Sequence, residues 1–146
     1  MDFKKLANQY RDELLDNVLP FWLEHSQDLE FGGYFSCLDR EGKVFDTDKF
    51  IWLQGREVWM FSMLYNKVEK RQEWLDCAVQ GGEFLKKYGH DGNYNWYFSL
   101  DRSGRPLVEP YNIFSYTFAT MAFGQLSLAT GSQEYADIAK KTFEII

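Results

Sequence analysis

A short turn sequence occurs twice in this chain, and the repeat limits the architectures that the chain can adopt. The segment Leu38–Lys43 (LDREGK) returns further along the chain as Leu100–Arg105 (LDRSGR). Each copy follows an aromatic-rich stretch and precedes a helical pattern. A unit of hairpin, helix, loop and helix cannot bury its own apolar faces, so several copies must stack. The sequence therefore predicts an all-α fold of helical hairpins that repeat every ~62 residues, with short β-hairpins between the helices.

The composition predicts a globular domain and argues against two kinds of partner. Of the 146 residues, 45% are hydrophobic and 18% are aromatic, which can supply a substantial core. The net charge is −6 and the basic residues are scattered, which argues against nucleic acid and against an anionic membrane surface. No signal peptide, membrane-spanning stretch or metal-ligand spacing is found. We therefore expect a cytoplasmic protein without a metal.

Apolar spacing predicts five helices, over about 3–25, 50–68, 71–88, 113–130 and from 132 onward, and two hairpins, over 32–45 and 96–107. Pro20 predicts a kink near Asn17–Leu19, and the segment 46–48 offers candidate caps for the second helix. The last helix stops on Ile145 and Ile146 without a cap. We therefore expect residues 1–146 to form a single, incomplete N-terminal portion of a longer domain.

The densest candidate site lies on the second predicted helix. Alternating spacings of three and four positions place five side chains along one helix face: Lys49, Trp52, Arg56, Trp59 and Met63. The shift that relates the two turns gives the matching stripe of the second unit, in which Phe114 replaces Trp52 and Phe118 replaces Arg56. An apolar residue therefore satisfies the structural requirement at this position, and the arginine needs another explanation.

Two interpretations of Arg56 stay open on the residues alone. The guanidinium could stack on its aromatic neighbours and reach water. It could instead form the floor of a sugar site, in which aromatic rings stack on the sugar and the forked donor holds its oxygens. The adjacent Gly55, inside the helix, predicts the close approach of a second helix.

Several short motifs of the sequence resemble those of the N-acylglucosamine 2-epimerase family. They are Phe21-Trp22, the segments 32–35, 38–43 and 46–49, Trp52–Trp59 (WLQGREVW), and Ile113–Ser115 with the following Phe118. The resemblance covers nearly the whole chain. It implies the N-terminal part of an (α/α)6 toroid and an isomerase of amino-sugar metabolism that interconverts N-acetylglucosamine and N-acetylmannosamine. The reaction removes and returns the proton at C2.

The resemblance also implies roles for particular residues. Arg56 matches a catalytic arginine that contacts the substrate near the developing charge. The helix stripes of the two units, and not the resemblance, supply the predicted substrate-binding residues Lys49, Trp52, Trp59, Phe114 and Phe118. The family's two catalytic histidines lie in the C-terminal part of the toroid, whereas His25 and His90 are predicted to be loop residues. We therefore expect no epimerase activity from these 146 residues alone.

Other expectations from the family concern regulation and assembly. ATP is an allosteric activator of some members, but the segment associated with this response would lie beyond Ile146, and the chain holds no P-loop. The partner implied is a small-molecule sugar, and the full-length protein is expected to form a homodimer. No cofactor is expected in this chain.

Three alternatives remain at this stage. The first is another enzyme on the same scaffold, a cellobiose 2-epimerase or an aldose–ketose isomerase. The second is a glycoside hydrolase, which needs two carboxylates; Glu57 is expected to point away from the Arg56 face, and turn chemistry explains Asp39 and Asp101 better. The third is a non-catalytic sugar-binding toroid.

Overall fold

The computed structural model describes all 146 residues as helices joined by short strands. The helices are α1 (Phe3–Glu13), α2 (Leu19–His25), α3 (Ile51–Lys67), α4 (Gln72–Tyr88), α5 (Phe114–Thr130) and α6 (Gln133–Ile145), and a π-helical segment (Leu14–Val18) joins α1 to α2. The strands are β1 (Cys37–Leu38), β2 (Val44–Asp46), β3 (Lys49–Phe50), β4 (Ser99–Leu100) and β5 (Pro106–Val108). No helix has both the length and the apolarity that crossing a bilayer requires.

The predicted irregularity in the first helix is confirmed. The N–H of Leu19 donates to the carbonyl of Leu14, five positions back, and this wider turn ends immediately before Pro20. Since proline has no N–H to donate, a local change of register lets the helix continue past it.

The two repeated turns have the same internal hydrogen bonds. In the first, Asp39 Oδ1 accepts from the N–H groups of Glu41 and Lys43. In the second, Asp101 Oδ1 accepts from the N–H groups of Ser103 and Arg105. The prediction that both aspartates are turn residues is therefore confirmed.

The glycines of these turns, Gly42 and Gly104, have φ of +82° and +94°. A Cβ on Gly42 would overlap the ring of His25, and one on Gly104 would lie 2.6 Å from Cγ of Tyr88. Each turn is thereby packed against the end of a helix, and the repeated sequence is a docking element as well as a reversal of the chain.

Strand β3 connects the two repeats. It pairs with β4, which pairs in turn with β5, so the three form one antiparallel sheet, while β1 and β2 form a separate hairpin. The segment 46–48 does not cap α3 as predicted, because β3 intervenes and Phe50 is the N-cap, with no side-chain hydrogen bond. Lys49 therefore precedes the helix and is not part of its face.

The helices pack in two layers. Helix α3 packs on α5, while α4 lies against α3 and α6 lies against α5. A Cβ on Gly55 would lie 3.0 Å from the carbonyl carbon of Phe118, which confirms the predicted close approach of a second helix. The core between the layers is built on large side chains, among them Trp74, Trp96, Tyr34, Phe61 and Phe123. Burial of these faces drives the stacking that the repeat predicts.

Candidate functional site

Arg56 lies on the exposed side of α3 with its guanidinium beside a pair of aromatic rings. Its Cζ is 5.7 Å from the ring centroid of Trp52 and 5.4 Å from that of Phe118 on α5. The guanidinium makes no hydrogen bond or ion pair with any other residue, so all its donors are available to a ligand. Both rings lie within cation–π distance of the guanidinium, at the α3–α5 interface.

An aromatic pocket of about 470 Å³ opens beside this arginine. Its lining comes from α3, the second hairpin and the start of α5: Trp52, Phe98, Tyr111, Asn112, Phe114 and Phe118. Three of the predicted binding residues, Trp52, Phe114 and Phe118, thus meet at one site. Aromatic faces with few polar groups suit the C–H faces of a sugar ring, and the neighbouring guanidinium can hold its oxygens.

Trp59 lies at a second pocket, of about 360 Å³, which we call the Glu57 pocket. It is lined by Trp22, Ser36, Leu53, Arg56, Glu57, Trp59 and Met60. Arg56 and Glu57 both line this pocket, but the Arg56 guanidinium lies near Phe118 of α5, whereas the Glu57 carboxyl contacts Ser26 at the end of α2. Burial raises the pKa of the Glu57 carboxyl to about 8, against the opposing effect of a hydrogen bond from Ser26.

The structure places Lys49 away from both pockets. Its side chain is wholly buried, and its ammonium donates to Asp28 Oδ2 and to the carbonyls of Gly32 and Arg102. Three acceptors satisfy its three donors, so none is left for a ligand. The helical spacing that grouped Lys49 with Arg56 was extrapolated beyond the start of α3.

The two histidines line neither pocket. His25 is the last residue of α2, rather than a loop residue, and its ring lies 4.9 Å from that of Phe21. His90 follows α4, and its ring centroid is 4.8 Å from each of the rings of Tyr94 and Trp96. Burial lowers the pKa of His90. No imidazole therefore stands beside Arg56 to move a proton at a bound sugar.

The repeat does not keep one offset, which changes how Arg56 compares with the second unit. Helix α5 begins one position later than the offset between the two turns predicts from the start of α3. Helix α6 begins one position earlier than the same offset predicts from the start of α4. Phe118 is thus not established as the counterpart of Arg56. The two residues touch instead, across the α3–α5 interface.

Several lining residues were not predicted as site residues. Phe98 reaches the aromatic pocket because β3 pairs with β4, and this pairing between the two repeats leaves no local pattern in the sequence. Trp22 and Ser36 reach the Glu57 pocket from α2 and from the segment before β1. The sequence could have indicated Trp22, since it belongs to the Phe21-Trp22 motif that resembles the family.

Stacked helical hairpins joined by short strands are the architecture of the α/α-toroid class. A family model for N-acylglucosamine 2-epimerase (GlcNAc 2-epimerase) matches residues 33–146. The chain belongs to this family, whose members act on small-molecule sugars.

Individual relatives agree with this assignment. The chain is 47% identical to the N-acylglucosamine 2-epimerase of Mus musculus over 128 residues, which are 85% of this chain and 30% of the mouse protein. It is 29% identical to the cellobiose 2-epimerase of Dictyoglomus turgidum over 100% of this chain and 38% of that protein. The chain thus spans about a third of the length of the curated relatives it matches.

Solved structures confirm the fold. The cellobiose 2-epimerase of Bacillus thermoamylovorans superposes with a TM-score of 0.89 at 30% identity, over 98% of this chain and 37% of that one. A D-mannose isomerase superposes with a TM-score of 0.77 at 21% identity, which shows the fold alone. The predicted class, an N-terminal part of an (α/α)6 toroid, is therefore confirmed.

Proposed function

We propose that this chain contributes the arginine-bearing part of the active site of a sugar 2-epimerase that interconverts N-acetylglucosamine and N-acetylmannosamine. The observation that carries the proposal is the unpaired guanidinium of Arg56, which lies beside the rings of Trp52 and Phe118 that line the aromatic pocket. The substrate choice is supported by identity, which is 47% to the mouse N-acylglucosamine 2-epimerase and 27–31% to cellobiose 2-epimerases.

The chemistry of C2 epimerisation gives Arg56 a defined role. Removal of the C2 proton from an open-chain sugar leaves an enolate, whose negative charge develops on the neighbouring oxygen. A guanidinium with free donors stabilises this oxygen more strongly than it stabilises the neutral carbonyl, so it lowers the barrier. Trp52, Phe114 and Phe118 would hold the sugar chain against the arginine through its C–H groups.

The acid and base of the reaction are not supplied by the described pocket. His25 and His90 pack on other residues, and Glu57 is hydrogen-bonded to Ser26. We therefore propose that residues 1–146 alone bind the sugar but do not exchange its C2 proton. A cytoplasmic location, a homodimer and the absence of nucleic-acid or membrane partners belong to the same proposal.

The test is a chimera in which this chain replaces the matching segment of the mouse enzyme. We expect the chimera to exchange the C2 proton of N-acetylmannosamine in deuterated water, followed by proton NMR. Arg56→Met should lower the rate about 100-fold or more, since it removes the donors to the enolate oxygen. Arg56→Lys should keep part of the rate, because lysine keeps the positive charge and lacks only the paired N–H donors of the guanidinium.

The result that overturns the proposal is equally defined. An Arg56→Met chimera with native helical circular dichroism and the exchange rate of the parent chimera would remove Arg56 from catalysis. A folded parent chimera that exchanges no C2 proton would show that this segment does not serve an N-acylglucosamine 2-epimerase.

A further inference from the structure

The Glu57 pocket contains a hydroxyl group that contacts two acceptors at hydrogen-bond distance. Ser26 Oγ lies 2.6 Å from the carbonyl oxygen of Trp22 and 2.5 Å from Oε1 of Glu57. A hydroxyl carries one hydrogen, and a carbonyl oxygen cannot donate. The two contacts are hydrogen bonds at the same time only when Ser26 donates to Trp22 and the Glu57 carboxyl donates to Ser26. A protonated Glu57 satisfies both contacts, whereas a carboxylate leaves one short contact between two oxygens without a hydrogen.

The surroundings of Glu57 agree with a neutral carboxyl. The titratable groups nearest to it from the packed elements are the phenol of Tyr34 and the thiol of Cys77, both buried and neutral. Arg56, its neighbour on α3, forms no ion pair with it. No cation thus compensates a carboxylate here, and a buried charge without a partner is costly.

A neutral Glu57 changes what the pocket offers to a ligand. Glu57 Oε2 makes no hydrogen bond and is free to accept one, and Ser36 Oγ is buried without any partner. Arg56 contributes donors, and the indoles of Trp22 and Trp59 contribute apolar walls. The pocket combines donors, acceptors and flat apolar surface without a negative charge.

We propose that the Glu57 pocket is a second carbohydrate subsite, which binds a neutral, hydroxyl-bearing sugar unit with Glu57 as a protonated positioning residue. Sugar hydroxyls both donate and accept, so they match Glu57 Oε2, Ser36 and Arg56 together, while the C–H face of the ring suits the indoles. The proposal concerns binding alone and does not depend on epimerase activity.

The five tryptophans of the chain supply a direct measurement. In a titration of the ¹⁵N-labelled chain with N-acetylmannosamine or cellobiose, the indole signals of Trp22 and Trp59 report on this subsite and that of Trp52 reports on the aromatic pocket. Trp74 and Trp96 are buried in the core and serve as internal controls. We expect saturable shifts of Trp22 and Trp59.

Variants at Glu57 and Ser36 test the chemistry. Glu57→Gln keeps a neutral acceptor and a donor toward Ser26, so the dissociation constant measured at Trp59 should stay within about twofold. Glu57→Leu removes the acceptor and should weaken binding roughly tenfold, and Ser36→Ala should weaken it by a similar factor. Unchanged indole signals of Trp74 and Trp96 show that a variant is folded. If Glu57→Leu does not fold, Ser36→Ala still tests the proposal.

Three outcomes overturn the subsite. Shifts confined to Trp52 would leave the aromatic pocket as the sugar site and remove this one, so the failure is distinct from a failure of the proposed function. Glu57→Gln that weakens binding as much as Glu57→Leu would contradict a neutral carboxyl. Glucose 6-phosphate that binds at Trp59 much more tightly than glucose would identify an anion site instead.

Discussion

Asp28 Oδ2 lies 2.9 Å from Lys49 Nζ, and water reaches neither side chain. Arg102 donates two hydrogen bonds to the same carboxylate, from Nε to Oδ2 at 2.9 Å and from Nη2 to Oδ1 at 3.1 Å. Burial alone would raise the pKa of Asp28, but the hydrogen bonds from Arg102 and Lys49 prevail and lower it to about 2. This cluster joins the loop after α2, strand β3 and the second repeated turn.

Asp28→Asn should therefore be among the most destabilising single changes outside the apolar core. It leaves the Lys49 ammonium buried without a counter-charge, which costs about 3–5 kcal/mol of unfolding free energy. The measurement is urea unfolding followed by circular dichroism. Lys49→Met added to Asp28→Asn should recover part of the loss, because the unpaired charge is gone. A loss below about 1 kcal/mol in the single variant would contradict this account.

Glu57 should give the stability of the protein an unusual dependence on pH. Its folded pKa of about 8 lies above its ordinary value of 4.5, so the folded state binds the proton more tightly than the unfolded state does. The protonated Glu57 carboxyl therefore contributes to the free energy of unfolding, by a few kcal/mol in order of magnitude. This contribution is fully present below pH 4.5 and is lost as pH rises through 8. We expect the wild-type chain to lose stability between pH 5 and 9, relative to Glu57→Gln.

The comparison with Glu57→Gln at each pH isolates the carboxyl. His90, whose pKa is lowered by burial, adds stability that is lost as pH falls, and this contribution is present in both proteins and cancels. Urea unfolding at several pH values gives the difference. Parallel curves for the two proteins across this range would show that Glu57 ionises normally in the folded state.

Gly55 and Gly124 form a matched pair for testing the α3–α5 contact. A Cβ at Gly55 would lie 3.0 Å from the carbonyl carbon and oxygen of Phe118, whereas one at Gly124 would meet nothing within 4 Å. Alanine favours a helix by about 1 kcal/mol over glycine, but crowding of packed backbone costs about 1–3 kcal/mol. Gly55→Ala should be neutral to destabilising and should weaken sugar shifts at Trp52, while Gly124→Ala should stabilise by about 1 kcal/mol. Equal stabilisation by both, in urea unfolding, would show that the helices can move apart freely.

Local patterns predicted much of this fold, and the errors arise where distant segments meet. The paired turns, the irregularity before Pro20 and the close approach at Gly55 follow from residues adjacent in sequence. The burial of Lys49 depends on Asp28 and on the Arg102 carbonyl, which are 21 and 53 residues away in the sequence. Helical spacing does not predict contacts with such distant residues. The Glu57 pocket was not predicted for a related reason, because Trp22 of α2 completes it and α3 alone does not form it.

An alanine substitution at the glycine of a repeated turn should cost more stability than one at an uncrowded glycine with positive φ. Gly104 has φ of +94° and Gly131, the cap of α5, has φ of +73°, so alanine strains the backbone at both by about 1–2 kcal/mol. Only Gly104 is also crowded, since its added Cβ would lie 2.6 Å from Cγ of Tyr88, while the Cβ on Gly131 would meet nothing within 4 Å. Gly104→Ala must therefore displace the turn from the end of α4, and we expect it to cost about 1–3 kcal/mol more than Gly131→Ala. Urea unfolding of the two variants gives the comparison. If they lose the same stability, the turn only reverses the chain, and its recurrence in both repeats does not reflect docking against a helix.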